Sequence, residues 1–569
     1  MKKVWLLLAL ILLLSTSCSQ QPEVEEEQPP VDEPQPEVEQ DEGMTPGTYT
    51  AVCSGFYGDF DISVTVSDVS ITDIQLGEYK ETEAVGGKAL RIMSERIIND
   101  NTTGVDAVSG ATVTSAVFRA AVNDCLAQAG APDSLKAAPA APQVLDLTVE
   151  TEVLVIGGGA AGLSSAITAA ENGAKVTLIE KQDILGGSTV VSAGIVYAAI
   201  DENDVPKMTD YYMDRAEQNA DREIINFYAQ NSIDTISFLD GIGVKWMMTV
   251  PAGTAPEPRA HFSMHENGTA MIGSALIVPM EEKAKELGIE ILTGVKGTEL
   301  ILEDGKVVGT KAESKTTNYT FKSEAVILAT GGFDASEELK EKHSPVALGD
   351  YPLSNKGNVG EGLIMGMEAG AASEFKNGAI GFQIVDGSLP NSGYNGSAMT
   401  ANLFVKTDGT FLALANDYPI NYTNLKLAGD TSFFGLFDAN GKDSAEAVLA
   451  LDRNFAFKAD TVEDLAAATG MDAEKLQDAF DKTETLTTAP YYAVVVKSAT
   501  IGSMGGLIIN TKAEVISEAD GLPIYGLYAA GEVANPGLYY NEYPASGTSI
   551  SSSITFGREA GKNASELLK

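Results

Sequence analysis

Residues 151–163 read Thr-Glu-Val-Leu-Val-Ile-Gly-Gly-Gly-Ala-Ala-Gly-Leu, and a second apolar run at 176–179 ends in Glu180. The β-branched run at 153–156 predicts a buried strand, and the residues after it have G-x-G-x-x-G spacing at Gly157, Gly159 and Gly162. In this motif the first glycine allows a tight turn, the second admits a pyrophosphate, and the third lets the helix pack on the strand. An acid at the end of the second strand can bind ribose hydroxyls. We therefore predict a dinucleotide site; a glycine-rich turn without a ligand is the alternative.

The length and composition of the chain limit its possible functions. With 569 residues it is too long for one core, so two or three domains are expected. A formal net charge of -42 argues against nucleic acid as a partner and against binding to an anionic membrane surface. The three cysteines and three histidines are scattered, so no metal site is predicted. Redox chemistry in this chain would depend on organic cofactors.

The N-terminus has the pattern of an export signal. Lysines precede an apolar run at 4–14 that is too short to span a bilayer, and small residues follow it up to Cys18. A cysteine in this position resembles a bacterial lipoprotein signal. The resemblance implies a signal at 1–18, a lipid on Cys18 and an extracytoplasmic protein anchored to the cell membrane. The chain departs from that pattern at Ser15, where leucine is usual, and free secretion is the alternative.

Composition divides the next part of the chain into three segments. Residues 19–45 are rich in Glu and Pro and have no Lys or Arg, which predicts an extended tether. Residues 46–130 contain alternating strand patterns followed by two helical patterns, which predicts a small α+β domain. Residues 131–146 are a Pro/Ala-rich linker. Whether Cys53 and Cys125 of the small domain form a disulfide is left open by the sequence.

Between the two predicted helices of the small domain lies Asp106-Ala-Val-Ser-Gly-Ala-Thr112. Such a loop can present hydroxyls and a helix N-terminus to a phosphate, whereas helix capping by Thr112 or Thr114 is the alternative. The segment resembles the FMN-binding domain of sodium-pumping quinone reductases over residues 46–130. This resemblance implies FMN joined to the Thr112 hydroxyl by a phosphoester bond, with a flavin transferase as the partner that attaches it.

Three further glycine-containing elements follow Glu180. They are a small-residue loop at 186–194, a strand with a glycine turn at 325–333, and a strand with Gly531-Glu532 near the C-terminus. Together with Ser503-Met-Gly-Gly506 they resemble the flavoprotein subunits of fumarate reductase and succinate dehydrogenase, particularly the soluble, flavocytochrome c-like fumarate reductases. The resemblance runs from about residue 151 to the end of the chain.

This resemblance implies an α/β fold. A Rossmann-like domain at 147–373 and 501–569 would bind FAD non-covalently, and an inserted α+β clamp domain at 374–500 would cap the substrate. The small α+β FMN-binding domain precedes both. The residues predicted to contact FAD are Gly157, Gly159, Ala161, Gly162, Glu180, Lys181, Gly187, Ser188, Thr189, Ala193, Gly194, Val295, Ala329, Gly331, Glu361, Glu532, Ser549 and Ile550.

The chain lacks the cations that fumarate reductases use. Those enzymes bind a dicarboxylate with arginines and histidines and protonate it with an arginine, because guanidinium pairs with carboxylate bidentately. The chain has Ile501-Gly-Ser before Met-Gly-Gly where histidine is expected, and no arginine at 543–550 or 416–422. Fumarate is therefore not the expected substrate, although Arg259 or Arg453 could bind an acid from elsewhere.

Tyrosines take the place of these cations. The spacing Tyr543-Pro-x-x-Gly547 resembles that of 3-ketosteroid dehydrogenases, which implies that the Tyr543 hydroxyl and the Gly547 N–H polarise a carbonyl group. A neutral phenol suits an uncharged carbonyl because no charge has to be matched. In the clamp, Tyr418 and Tyr422 are candidate proton donors. For each tyrosine the alternative is an amphipathic residue at a domain interface.

The combined hypothesis is an extracytoplasmic reductase. Electrons from a membrane donor protein would pass from FMN to FAD and then, as hydride, to the activated C=C bond of a small enone or enoate. One alternative is an FAD-dependent dehydrogenase of the 3-ketosteroid type, which runs the reaction in the opposite direction. The other is a flavin electron carrier that does not turn over a substrate.

Overall fold

The computed structural model describes residues 43–55, 57–265, 268, 272–385, 401–412, 422, 426, 432–449 and 455–569. The predicted signal and Cys18 lie outside these residues, as does most of the predicted tether. Within the described part of the chain, no helix combines the length and the apolar composition that crossing a bilayer requires.

The N-terminal small domain is an antiparallel sheet covered by two helices. Its elements are β1 (Gly47–Gly55), β2 (Gly58–Val66), β3 (Ile71–Leu76), α1 (Lys88–Asp100) and α2 (Thr112–Gln128). Alternate strand residues such as Ile62 and Val64 are buried against α2, as the period of two in the sequence predicts. Cys53 and Cys125 lie in this core as free thiols.

The large domain begins with β4 and contains a mainly parallel sheet. Its elements before the clamp are β4 (Leu145–Glu150), β5 (Val153–Ile156), α3 (Ala160–Glu171), β6 (Val176–Glu180), α4 (Gly187–Val190), β7 (Ile195–Tyr197), α5 (Val205–Arg215), α6 (Arg222–Gly241), β8 (Lys245–Val250), β9 (Ala260–Met264), α7 (Ser274–Glu286), β10 (Glu290–Thr293), β11 (Lys296–Glu303), β12 (Lys306–Glu313), β13 (Thr317–Lys322), β14 (Ala325–Leu328), α8 (Glu337–His343), β15 (Tyr351–Pro352), α9 (Glu361–Glu368) and β16 (Ser373–Glu374).

The clamp and the C-terminal segment complete the fold. The elements described in the clamp are β17 (Ala379–Val385), β18 (Leu403–Lys406), β19 (Phe411–Leu412), β20 (Ser432–Phe437), α10 (Lys442–Leu449), β21 (Ala456–Ala459), α11 (Val462–Thr469) and α12 (Ala473–Asp481). The elements that follow are β22 (Tyr491–Ser503), β23 (Gly506–Leu507), β24 (Glu514–Ile516), β25 (Pro523–Ala529) and α13 (Thr548–Glu566).

The central sheet has the order β10-β6-β5-β14-β25-β24. All of its neighbouring pairs are parallel except β24 with β25. β5, β6 and β14 are buried along almost their whole length, which explains why they read as continuous apolar runs. Their carboxyl ends therefore meet at one edge of the sheet, where such folds bind their ligands.

The C-terminal helix packs closely on the helix that follows the glycine turn. A Cβ at Gly557 would lie 2.5 Å from the Ala161 carbonyl oxygen, and one at Gly561 would lie 2.2 Å from that of Ser165. Only glycine permits this approach of α13 to α3. The contact brings the N-terminus of α13, and the loop before it, to the same edge of the sheet as the glycine turn.

The clamp sheet is built around β22. Its order is β15-β22-β20-β18-β19, with β17 and β21 also paired to β22. The predicted clamp boundary at 500 falls inside this strand, and β15 joins the same sheet from the segment that the sequence assigned to the large domain. A strand therefore continues from the clamp into the large domain, and hydrophobicity alone does not mark a boundary within it.

Candidate active site

In the glycine turn after β5, two glycines are required by close packing and one borders open space. Gly157 has φ of +110°, and a Cβ there would lie 2.2 Å from the Ala329 carbonyl oxygen. A Cβ at Gly162 would lie 1.8 Å from the Gly157 oxygen, so these two glycines are needed for packing. At Gly159 the nearest atom to such a Cβ is 3.8 Å away. The space beside Gly159 is therefore open to a ligand, as the spacing predicts.

Glu180, at the end of β6, is tied to this turn. Its carboxylate accepts hydrogen bonds from the N–H of Gly158 at 2.7 Å and of Gln182 at 2.8 Å. Burial raises the pKa of the carboxyl group, although these N–H groups act in the opposite direction. The neighbouring Lys181 is paired with Glu361, which also lies 3.4 Å from Lys296. Ribose binding by Glu180 stays a prediction. Glu180 does line the cavity, as ribose binding would require.

The open space belongs to one cavity of about 1640 Å³. This exceeds the roughly 300–1,000 Å³ of a typical small-molecule site, so it has room for more than one ligand. The predicted FAD-contacting residues in its wall are Gly157, Gly159, Ala161, Glu180, Lys181, Gly187, Ser188, Thr189, Ala193, Gly194, Ala329, Gly331, Glu532, Ser549 and Ile550.

Three predicted FAD residues stand behind the described wall. Gly162 packs on the glycine turn, Glu361 pairs with Lys181, and the N–H of Val295 donates to the Glu180 carbonyl oxygen at 2.9 Å. They support wall residues and do not themselves form the described lining.

Glu532 is a buried carboxyl group at this wall. Ser549 Oγ donates to its Oε1 at 3.3 Å, while Oε2 is buried and has no hydrogen-bond partner among the described residues. Burial, together with the charge of Asp334, raises the pKa of Glu532 to about 8. An unsatisfied polar atom costs free energy unless a ligand completes it. The hydroxyl-rich chain of FAD fits this requirement.

Tyr543 and Gly547 flank the start of α13. The Tyr543 ring is buried, and its hydroxyl oxygen accepts a hydrogen bond from the Ser549 N–H at 2.8 Å. Gly547 has φ of +94°, and its carbonyl oxygen accepts from the Tyr197 N–H at 3.3 Å. Both residues line the cavity. The structure therefore brings this predicted pair together beside the predicted FAD residues.

The structure does not place the two predicted clamp tyrosines in the described cavity wall. Tyr418 lies outside the described residues. Tyr422 is 1% exposed, and its hydroxyl donates to Asp350 Oδ2 at 2.8 Å. Burial and the Asp350 charge hold the pKa of Tyr422 well above its usual range. Lys426 occupies the other carboxylate oxygen at 2.6 Å. Tyr422 is thus not part of the described cavity wall, and its contacts join the clamp to Asp350 of the large domain.

Arg259 does not reach the cavity. It is 1% exposed and donates to both carboxylate oxygens of Asp204 at 2.7 Å. This ion pair supports the interior below β7 and β9, so Arg259 is not available to a substrate acid. Arg453 lies outside the described residues. No cluster of metal-ligating side chains occurs in the part of the chain that the structure describes.

Thr112 lies at the other end of the cavity. It is the first residue of α2, it is exposed, and it lines the cavity that the FAD-contacting residues also line. The neighbouring wall residues Tyr57 and Glu81 come from the small domain. A group attached to the Thr112 hydroxyl would therefore share this space with a ligand at the glycine turn.

The small domain is held against the large one through the loop after β6. Asp183 accepts from Arg96 at 2.7 Å and from the N–H of Ser109 at 2.8 Å. Ile184, 2% exposed, is buried in the core of the small domain. Asp106 pairs with Lys315 of the large domain. Two residues of the Asp106–Thr112 motif thus fix the orientation of Thr112.

Sequence reasoning missed the loop at 351–358. It lines the cavity and holds the loop after β6, since Gln182 Nε2 donates to Asn355 Oδ1 at 2.7 Å and Asn358 Nδ2 donates to Ser188 Oγ at 3.0 Å. The only local signal was a run of loop-forming polar residues. These contacts join residues about 170 positions apart, so no periodic pattern in the sequence predicts them.

Comparison with protein families matches residues 152–550 to the FAD binding domain family and residues 55–127 to the FMN-binding domain family. A urocanate reductase from Eggerthella lenta is 29% identical, covering 91% of this chain and 92% of the relative. A vinyl phenol reductase from Lactiplantibacillus plantarum is 28% identical over 73% of this chain and 96% of the relative.

Two solved structures share the fold. The open conformation of a flavocytochrome c3 fumarate reductase superposes with a TM-score of 0.61 at 26% identity, over 75% of this chain and 79% of that one. A 3-ketosteroid dehydrogenase from Rhodococcus jostii superposes with a TM-score of 0.62 at 23% identity, over 73% of this chain and 97% of that one. At this identity the similarity shows a shared fold alone. The predicted α/β fold class, the family resemblance, and FAD and FMN as cofactors are confirmed.

Proposed function

Because this chain belongs to the FAD binding domain family and also carries an FMN-binding domain, we propose that it reduces the activated C=C bond of an enone or enoate. A reductase of C=C bonds agrees with the relatives, which are named as urocanate and vinyl phenol reductases. The observation that carries the proposal is the position of Tyr543 and Gly547 at the cavity wall beside Glu532 and Ser549. These are the places where a carbonyl group and a flavin would meet.

The residues of the chain would act on the carbonyl group. When bound at the cavity wall and at Thr112, FAD and FMN would supply the electrons, and the β-carbon of the substrate would receive them as hydride. The Tyr543 hydroxyl and the Gly547 N–H stabilise the negative charge that develops on the carbonyl oxygen. The Tyr543 hydroxyl oxygen accepts a hydrogen bond from the Ser549 N–H, and this bond makes the phenol a stronger hydrogen-bond donor. One such donor is worth about 2.7–4 kcal/mol in the transition state. The α-carbon proton is assigned to the clamp residue Tyr418, because the hydroxyl of Tyr422, the other candidate, is bound to Asp350 and lies outside the cavity wall.

The charge of the cavity wall supports an uncharged carbonyl compound over a dicarboxylate. Among the described wall residues there is no arginine or histidine. The described wall has three lysines: Lys181 is paired with Glu361, Lys482 is paired with Asp478, and Lys356 is exposed on the loop at 351–358. A dicarboxylate would have to leave water without a bidentate cation to replace its hydration. An enone or an ester makes no such demand.

A panel of acceptors tests this proposal. Reduced methyl viologen would serve as the donor, and fumarate, cinnamate, methyl cinnamate and 4-phenyl-3-buten-2-one as acceptors. We expect viologen oxidation with the uncharged acceptors and little with fumarate. Oxidation of a saturated ketone when an artificial electron acceptor replaces the reduced viologen, with no reduction of the unsaturated ketone, would favour a dehydrogenase. Absence of turnover in both directions would favour an electron carrier.

We also assign the FMN and its attachment site. The resemblance of the Asp106–Thr112 motif and the exposure of Thr112 at the shared cavity support a phosphoester bond at this hydroxyl, made by a flavin transferase. Electrons entering at the small domain would then reach FAD within one cavity. Denatured protein that retains flavin fluorescence would establish the covalent bond, and loss of all flavin on denaturation would contradict it.

The location of the protein is a separate proposal. The lysines, the apolar run at 4–14 and Cys18 support export and lipid attachment, with residues 19–45 as the tether and a membrane protein as electron donor. A Cys18→Ser variant should move from the membrane fraction to the soluble extracytoplasmic fraction. Equal membrane association of both forms would argue against the lipid anchor.

A further inference from the structure

Helix α5 contacts the loop that carries Tyr543 and Gly547 at three points. Arg215 forms an ion pair with Glu542, and the Tyr211 hydroxyl donates to the Pro544 carbonyl oxygen at 2.6 Å. The hydroxyl groups of Tyr212 and Thr548 are 2.6 Å apart. The contacts therefore hold the loop before Tyr543, directly after it, and at the first residue of α13.

Tyr211 makes a second contact with the cavity wall. Its hydroxyl oxygen accepts a hydrogen bond from the Thr254 N–H at 3.1 Å. Gly253, a wall residue, has φ of +72°, and a Cβ there would lie 2.3 Å from the Tyr211 hydroxyl. One hydroxyl group thus joins the wall segment at 251–253, through the N–H of the residue that follows it, to the loop at 543–547. Tyr211 is not itself part of the described lining.

We propose that Tyr211 is a positioning residue for the reduction: its hydroxyl fixes the Pro544 carbonyl so that Tyr543 and Gly547 address the same substrate oxygen. This inference rests on the role given to that pair under the proposed function. Pro544 follows Tyr543 directly and has a nearly fixed φ, so a shift of its carbonyl is transmitted to the residue before it. Catalytic groups have to be held within roughly 0.5 Å, and a misplacement of about 1 Å can cost roughly a hundredfold in rate.

The chain offers a conservative variant and a matched control. Tyr211→Phe removes the hydroxyl but keeps the ring, which packs against Tyr212 with centroids 5.9 Å apart. Tyr212 and Arg215 would keep their contacts with Thr548 and Glu542. Tyr528→Phe is the control, because Tyr528 also donates to a backbone carbonyl, that of Asn563 at 3.3 Å, but near the opposite end of α13.

The kinetic test uses the flavin-loaded enzyme with reduced methyl viologen and 4-phenyl-3-buten-2-one. We expect Tyr211→Phe to lower kcat about tenfold or more with little change in KM, because the lost alignment matters in the transition state. Tyr528→Phe should keep the wild-type kcat. In a Tyr543→Phe background, Tyr211→Phe should cost much less, because the group that it positions is gone. An unchanged kcat, or an equal loss in both backgrounds, would overturn the proposal.

A substrate-independent measurement separates this inference from the proposed function. Crystal structures of wild type and Tyr211→Phe should differ by a displacement of residues 543–547, with unchanged FAD absorbance. If the enone is not reduced, or if Tyr543→Phe is fully active, the proposed function fails. The comparison of the two crystal structures then tests the positioning role of Tyr211 without any kinetic measurement. A loop that superposes on the wild-type loop would overturn the positioning role.

Discussion

The backbone N–H of Ser549 lies 2.8 Å from the hydroxyl oxygen of Tyr543 and donates a hydrogen bond to it. The side chain of the same residue donates to Glu532 Oε1 at 3.3 Å. Ser549 is the second residue of α13, so the phenol also lies at the positive end of a helix dipole. One residue therefore links the proposed carbonyl-binding tyrosine to the buried carboxyl group at the proposed flavin site.

The first prediction concerns Tyr543. Replacing it with Phe should lower turnover of an uncharged enone roughly a hundredfold or more, because one donor to the developing oxyanion is removed. FAD should stay bound, since the hydroxyl does not hold the glycine turn. Tyr539→Phe, which changes a phenol whose ring lies 5.7 Å away, should retain most of the activity. Equal rates for wild type and Tyr543→Phe would remove Tyr543 from the chemistry.

The second prediction concerns the pH dependence of stability. With a folded-state pKa of about 8, Glu532 is protonated near neutral pH in the folded chain but ionised in the unfolded chain. The folded state then binds the extra proton, so this group lowers stability as pH rises from about 4.5 towards 8. Glu532→Gln, which cannot ionise, should gain melting temperature relative to the wild type over this range, on the order of a few degrees.

This comparison is made on FAD-free protein by thermal denaturation at several pH values. Glu361→Gln is a suitable control, because its carboxylate already has Lys181 and Lys296 as partners. If the wild-type and Glu532→Gln curves keep a constant separation from pH 5 to pH 8, the raised pKa is refuted.

The third prediction concerns the flavin attachment residue. Thr112 and Thr114 both line the cavity, but Thr112 is exposed, whereas Thr114 is buried with its hydroxyl 3.5 Å from Glu81. Thr112→Val should therefore abolish flavin fluorescence that survives denaturation, and Thr114→Val should preserve it. Fluorescence on a denatured gel, with the flavin transferase coexpressed, distinguishes the two. Retention of covalent flavin in Thr112→Val would place the bond elsewhere.

The fourth prediction concerns docking of the small domain. Asp183→Ala removes the partner of Arg96 and Ser109, and we expect the small domain to detach more often. Trypsin should then cut after Lys136 in the linker several-fold faster, since charge-assisted hydrogen bonds of this kind contribute about 1.5–3 kcal/mol each when partly buried. Glu299→Ala, which breaks an exposed ion pair with Lys311 inside the large domain, should leave the rate unchanged. Equal cleavage of all three proteins would show that Asp183 does not hold the docked state.

Some of this architecture could be predicted because its causes are local. The strand, glycine turn and helix at 153–171 follow from apolar periodicity and from glycines that only a close turn requires. The pair of Tyr543 and Gly547 was predicted from a family resemblance that a five-residue spacing carries; both residues line the cavity, and their role stays a prediction. In each case the residues that fix the structure are close together in the sequence.

Other features could not be predicted because they depend on distant contacts. Ile184 follows a strand of the large domain but is buried in the core of the small one. Tyr422 was expected in the substrate site, yet its hydroxyl is bound by Asp350, 72 residues earlier. Tyr211 reaches Pro544 across 333 residues. No spacing rule connects such positions, since the fold alone brings them together.

The central claim is that both flavins of one chain deliver electrons to one substrate site. The most direct measurement is the yield of saturated product from fully reduced enzyme mixed anaerobically with excess 4-phenyl-3-buten-2-one, without an added donor. With FMN on Thr112 connected to FAD, we predict two product molecules per chain and complete reoxidation at 450 nm, against one product molecule for Thr112→Val. A wild-type yield of one, with half of the flavin remaining reduced, would contradict the proposed electron path.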